Sequence, residues 1–220
     1  FKKAGFNVLG VDPATEIAAK AAAEGIPTVA DFFSESLGKE FLAEYGPAHL
    51  ITSHNACAHI DDLVGLMRGV RHWLADDGLF IFEVGYFLDV YSNTWFDTVY
   101  HEHLDYHSVK PLVPFFESIN MELFSVKRVS PQGGSIRLHV QKKGGPHSVD
   151  PSVKELIRLE EDIGLDKAET FRAFSDKVNT VKIALSEILR SLKAQGMRIA
   201  GYGAPTKSTT LLTHFGLGDD

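Results

Sequence analysis

Cys57 is the one cysteine among 220 residues, so the chain carries no disulfide framework and no thiolate zinc site. That usage points to a reducing, cytoplasmic setting. Cys57 lies in an apolar stretch, which reads as a buried, inert thiol rather than a nucleophile. No apolar run approaches the length that spans a bilayer, so no membrane partner is expected. Positive charge is also scarce: 22 Lys and Arg stand against 29 Asp and Glu, for a net charge of -7. Such a balance excludes a broad basic face for nucleic acid and leaves room for a small anion held by local cations. Neither a signal peptide nor an initiator methionine opens the chain, and FKKAGFNVLG reads as a helix end entering a strand, as in a fragment. What is present, 44% hydrophobic residues, is enough to bury a core in one or two soluble domains. Nothing in the composition sets an oligomeric state.

Apolar runs with β-branched residues predict strands over 6–11, 26–29, 49–53 and 79–84, and the intervening 15–24, 34–45 and 61–74 read as helices. In the third of these, Leu63, Leu66, Met67, Val70, Trp73 and Leu74 form one stripe before a turn at Asp76, Asp77 and Gly78. Strand and helix alternating with short connections describe a doubly wound parallel sheet, whose ligands bind beyond the carboxyl ends of the strands. Asp12, Asp31, Asn55 and Glu83 occupy those ends. A helix over 110–119 precedes strands over 121–129 and 135–142, joined through Ser130 to Gly134 as an antiparallel pair closing the sheet. Gly144-Gly145-Pro146 is the best boundary, dividing 1–145 from 146–220. Beyond it, Asp150-Pro151 opens a helix to about Ile163, and Asp166 with Glu169 has the form of a capping box before a long amphipathic helix ended by Gly196. A strand over 197–201 then leads through a second glycine loop to a helix start bearing Thr206, Lys207 and Ser208. A helix start of this kind suits phosphate, although a tight turn and a capped helix would look the same.

The residues richest in chemistry are FDTVYHEHLDYHS, 96–108. Histidine titrates near neutrality, so His101, His103 and His107 beside Glu102, Tyr100 and Tyr106 are suited to general acid and base work. His101-x-His103 could equally ligate a metal. Asp12, with two carboxylate acceptors, suits the vicinal hydroxyls of a ribose. That feature is shared by methyltransferases and by NAD-dependent nucleotide-sugar oxidoreductases, the alternative reading; the closing antiparallel pair favours the former.

GVDPA at 10–14, GIPT followed by Asp31, Phe32 and Phe33, HNACAHIDDL at 54–63, YHEHL within 96–108, GGSIRLHV at 133–140 and GAPTKSTTLL at 203–212 together resemble the S-adenosylmethionine-dependent sugar C-methyltransferases. The resemblance covers nearly the whole chain. It implies a Rossmann-like class I methyltransferase sheet of α/β class, its first strand missing here, with a C-terminal α/β domain for a nucleotide sugar. It also implies a zinc domain and a glycine-rich cofactor loop ahead of the present residues; zinc is expected only there, and no metal in this chain. On the same basis the substrate is a 4-keto-deoxysugar nucleotide, dTDP-linked, methylated at C3 through an enolate. His103 is then the general base, Glu102 holds or polarises the site, and Tyr100 with His101 donates toward the enolate oxygen. Asp12, Pro13, Asp31, Phe32, Phe33, His54 and Asn55 are the expected cofactor contacts, with His54 and Asn55 near the methionine end. Lys207, Arg137, Thr206 and Ser208 are the expected substrate contacts. His59 is expected to face the neighbouring helix.

Overall fold

The computed structural model describes residues 1–203 and 205–218; Ala204, within the predicted second glycine loop, lies outside them. The chain forms two compact units, one comprising Phe1–Ile51 with Asp62–Phe80 and the other Thr52–Asp61 with Ile81–Asp220. Gly144 and Pro146, where the sequence suggests a boundary, both fall in the second.

In the first unit, β1 (Gly10–Val11) pairs in parallel with β2 (Thr28–Val29), with α1 (Thr15–Ala23) between them. Both strands are shorter than the apolar runs predict, because Phe6 and its neighbours have no strand beside them and lie exposed. The Ser34 hydroxyl accepts from Leu37 N–H at 3.3 Å and so caps α2 (Glu35–Tyr45). Likewise, the Asp62 carboxylate accepts from Gly65 N–H at 2.8 Å and caps α3 (Leu63–Trp73). The predicted stripe of α3 faces inward, with Leu66, Met67 and Val70 buried. Trp73 packs edge-on against Phe41 at 4.9 Å and donates from its indole to the Gly46 carbonyl at 3.1 Å. α2 and α3 approach closely enough that a Cβ on Gly38 would collide with the Gly69 backbone, and one on Gly69 with the Ser34 carbonyl.

A four-stranded sheet has the order β3 (Ala48–His54), β4 (Leu74–Gly85), β6 (Ser135–Lys142), β5 (Met121–Val129). β4 differs from the expected strand. It begins directly at the end of α3 and runs through Asp76, Asp77 and Gly78, where the predicted turn lies; Gly78 has no side chain to separate it from the Ala48 carbonyl. β5 and β6 have the predicted bounds and pair antiparallel from Met121↔Lys142 to Val129↔Ser135, through a bulge near Leu123. Val84, Val109, Phe116, Met121, Ile136, Leu138 and Val140 are inaccessible and form the core of the second unit. α4 (Phe87–Asn93) and a 3₁₀ turn at Phe96–Thr98 precede α5 (Val109–Ser118).

Asp150 caps α6 (Pro151–Ile163) by accepting from Ser152 N–H at 2.8 Å, as its position before proline predicts. α7 (Ala168–Ala194) lacks the predicted capping box. Its N-cap is Lys167, and Asp166 instead accepts from the Lys110 ammonium at 2.8 Å, a charge-assisted bond stronger than a solvent-exposed cap. The strand predicted over 197–201 is not formed: these residues pair with no strand, and a strand isolated from a sheet has nothing to satisfy its amides. α8 (Thr206–Phe215) follows as expected. Among the described residues, no helix is long and apolar enough to cross a membrane.

The contact between α2 and α3 yields a stability test. Gly38→Ala is expected to cost about 1–3 kcal/mol, the range for an overpacked interior. Gly201→Ala, where an added Cβ meets nothing, is expected to be neutral. Paired thermal melts of the two variants check this, and an unchanged melting temperature for Gly38→Ala would contradict the close approach.

Candidate functional site

The histidine-rich segment sits in the second unit between α4 and α5, and its geometry is set by the backbone carbonyl of Thr98. The His103 ring places Nδ1 2.9 Å from that oxygen. A carbonyl only accepts, so Nδ1 carries the proton and Nε2 presents its lone pair. Facing Nε2 at 3.1 Å is the Tyr100 hydroxyl, which donates to it. Tyr106 donates to the same Thr98 oxygen at 3.3 Å. His103 is thereby a neutral imidazole of one tautomer with a phenol against its basic nitrogen.

Electrostatics reinforce that state. Burial holds the His103 pKa below its ordinary value, and the charges of His59 and Lys207 lower it further; the Thr98 bond and Glu102 act the other way. Tyr100 is shifted upward by burial and by the Glu102 charge, which keeps its proton in place for donation. The Glu102 side chain is exposed and acts here through charge. His101 is exposed too and meets the edge of Tyr100, at 6.2 Å between centroids.

His59 corrects the sequence expectation. Instead of facing the helix, its Nδ1 donates to the Glu102 carbonyl at 2.7 Å and its ring lies 5.0 Å from that of His103. The Ala58 carbonyl accepts from Leu104 N–H at 2.8 Å, tying the 3₁₀ turn Cys57–His59 alongside the catalytic candidates. No local pattern signals this, because the partners are 43 residues apart. The thiol beside it behaves as predicted: Cys57 is fully buried and burial pushes its pKa up to about 11.

Lys207, in the first turn of α8, is close enough for its charge to act on His103. α8 is held against the 96–99 turn by a Phe96–Phe215 stack at 5.1 Å and by the Thr210 hydroxyl, which donates to the Val99 carbonyl at 3.3 Å. Ser208 donates to the Pro205 carbonyl at 2.8 Å, and Thr206 is exposed.

A second cluster lies at the ends of β3 and β4. Arg137 on β6 directs Nε and Nη2 to Glu83 Oε2 at 3.0 and 2.7 Å, and His54 Nδ1 stands 4.0 Å from the same oxygen. Glu83 itself is buried. Asn55 adopts a left-handed backbone with φ of 54° and donates its N–H to the Glu83 carbonyl at 2.8 Å. Its Oδ1 is buried and has no partner among the described residues. In the first unit, Asp12 Oδ1 accepts from Ala14 N–H and Asp31 Oδ1 from Phe32 N–H, at 2.8 and 2.7 Å. Pro13 and Phe32 are exposed, while Phe33 packs on Phe41 and Trp73. Among the described residues, no group of three or more His, Cys, Asp or Glu is arranged to hold a metal ion. Both ring nitrogens of His103 are engaged within the protein, which does not favour the His101-x-His103 metal reading.

Comparison with known proteins gives a consistent picture. Residues 130–220 match the family described as the C-methyltransferase C-terminal domain. Over 218 residues the chain is 37% identical to C-methyltransferase NovU of Streptomyces niveus, covering 99% of this chain and 52% of that protein. The chain thus spans about half the length of this curated relative. Among solved structures, an S-adenosylmethionine-dependent methyltransferase from Anabaena variabilis is 15% identical with a TM-score of 0.50, over 65% of this chain and 71% of that one. A chain of the Haloferax volcanii complex between the Trm112 methyltransferase activator and a methyltransferase is 12% identical, also with a TM-score of 0.50, over 65% and 75%. At these identities the likeness is one of fold, the Rossmann-like methyltransferase α/β sheet.

The raised Cys57 pKa makes a direct prediction. Native protein at pH 8 is expected to leave the thiol unlabelled by a thiol-specific disulfide reagent, and full labelling is expected after denaturation. Rapid labelling of the folded protein would show that the turn at 57–59 is open.

Proposed function

We propose that this chain is part of an S-adenosylmethionine-dependent C-methyltransferase that works on a nucleotide sugar, methylating carbon beside a ketone; the match of residues 130–220 to the C-methyltransferase C-terminal domain and the 37% identity to NovU support this reading. The finer reading is a 4-keto-deoxysugar nucleotide, dTDP-linked and methylated at C3, which rests on the sequence resemblance. Residues 1–145 are assigned to the cofactor and 146–220 to the nucleotide sugar. The observation that carries the chemistry is His103, neutral and fixed in tautomer, with its Nε2 lone pair against the Tyr100 hydroxyl.

The residues suit the cofactor. Asp12 keeps a carboxylate oxygen beyond the one used by Ala14, which suits ribose hydroxyls, with Pro13, Asp31, Phe32 and Phe33 as the further contacts from the resemblance. The unpartnered Oδ1 of Asn55 suits an ammonium donor such as that of a methionine moiety, with His54 beside it. When bound, S-adenosylmethionine supplies an electrophilic methyl group. His103 Nε2 removes the proton next to the ketone, and the bond from Nδ1 to Thr98 stabilises the imidazolium that forms. Tyr100, released from Nε2 as the substrate enters, donates its hydroxyl proton in a hydrogen bond to the enolate oxygen, with His101 flanking it. Glu102 adds a negative charge that favours the protonated base. The enolate carbon would be the nucleophile toward that sulfonium methyl, the S–CH₃ bond breaking to leave the thioether S-adenosylhomocysteine. Lys207, with Thr206 and Ser208, is the proposed phosphate contact; Arg137, already on Glu83, acts through that carboxylate unless substrate draws it away.

Calorimetry with S-adenosylhomocysteine against NAD separates this reading from an oxidoreductase; binding of NAD alone would overturn it. His103→Ala is expected to abolish methyl transfer and deuterium exchange beside the ketone while cofactor affinity is kept. Tyr100→Phe is expected to lower the rate by about 10²–10³-fold, as for loss of an oxyanion donor. Because the active form of His103 is neutral and burial lowers its pKa, activity is expected to rise with pH through a limb below the ordinary histidine value and then level off. A limb above that value would contradict the assignment.

A further inference from the structure

The segment that carries Tyr100 and His103 leaves the sheet at Tyr86 and ends at the start of α5. Its two ends lie side by side: Tyr86 bridges His107 in parallel, and Phe87 N–H donates to the His107 carbonyl at 2.9 Å. α5 has Ser108 as its N-cap, yet that side chain makes no capping bond. The capping acceptor comes from elsewhere in the sequence. Glu160 on α6 accepts from Val109 N–H with Oε1 at 2.6 Å and from Lys110 N–H with Oε2 at 2.8 Å. The same Oε1 accepts from the Tyr86 hydroxyl at 2.9 Å. Glu160 is 1% exposed and Tyr86 is inaccessible. Burial and the neighbouring Glu160 push the Tyr86 pKa upward, so the phenol remains a donor.

A serine cap would satisfy α5 at less desolvation cost than a buried carboxylate, which is tolerated only when well hydrogen-bonded. What the carboxylate adds is the second attachment. By taking one bond from Tyr86 and two from α5, it holds the departure and the return of the segment to one point. We propose that Glu160 is a positioning residue that sets where His103 and Tyr100 lie; this rests on the reading of His103 as the base. It touches neither residue. It acts by closing the excursion that displays them, and displacement of a reacting group by about 1 Å can cost about 10²-fold in rate.

Glu160→Gln keeps the shape but presents an amide donor to one of the N–H groups that the carboxylate accepts. In a folded variant, kcat is expected to fall about 10²-fold with KM little changed, and the His103 imidazole resonances are expected to move. A merely structural role would lower the melting temperature and leave those resonances and kcat in place below the melt. Tyr86→Phe removes only one attachment and is expected to shift the His103 resonances in the same direction by less, which serves if Glu160→Gln does not fold. Unmoved resonances in a folded Glu160→Gln variant, or in Tyr86→Phe where the former does not fold, would overturn the proposal. If the unmodified protein transfers no methyl group, the functional reading fails, and the resonances still decide on Glu160.

Discussion

A carboxylate that is almost wholly inaccessible is stable only through the hydrogen bonds that reach it, and Glu160 receives three. Its position on α6 makes the folding of the middle of the second unit conditional on a helix fifty residues away. Until α6 packs, Tyr86 has no acceptor for its hydroxyl and α5 begins with its N–H groups unpaired. The segment 96–108 has little core of its own: most of its residues are exposed or half-buried. Its conformation comes from what holds its ends, from the Ala58 carbonyl, and from α8 stacked on Phe96.

Within that frame one backbone oxygen does most of the chemical selection. The Thr98 carbonyl accepts from His103 and from Tyr106, and by being unable to donate it decides which imidazole nitrogen is basic. The Tyr100 hydroxyl then finds that nitrogen. A proton acceptor and a proton donor are thus paired, each satisfied by the other. Neither residue is charged, which suits a half-buried site where an isolated ion would be costly.

Local patterns in the sequence were sufficient wherever the determining contact is also local. The β5–β6 pair has its predicted bounds because alternating apolar residues and a glycine-rich connection specify both strands and their turn. Asp150 before Pro151 marks a helix start correctly for the same reason. Errors occur where a distant group competes. Asp166 prefers the Lys110 ammonium to the N-terminus of α7, the residues 197–201 find no strand to pair with, and β4 extends through an expected turn because Gly78 lies flush against Ala48. The site divides likewise. The Thr98 carbonyl that fixes the His103 tautomer lies five residues away in the same segment as YHEHL, whereas the ring of His59 and the carboxylate of Glu160 come from distant parts of the chain.

Lys207 belongs to the α8 turn, yet its charge is felt at His103 and weakens it as a proton acceptor. An anion that pairs with Lys207 offsets that charge. The imidazole would then become more basic without any atom of His103 moving. On the proposed reading, in which Lys207 meets the phosphate and His103 is the base, arrival of the substrate would itself strengthen the group that takes its proton.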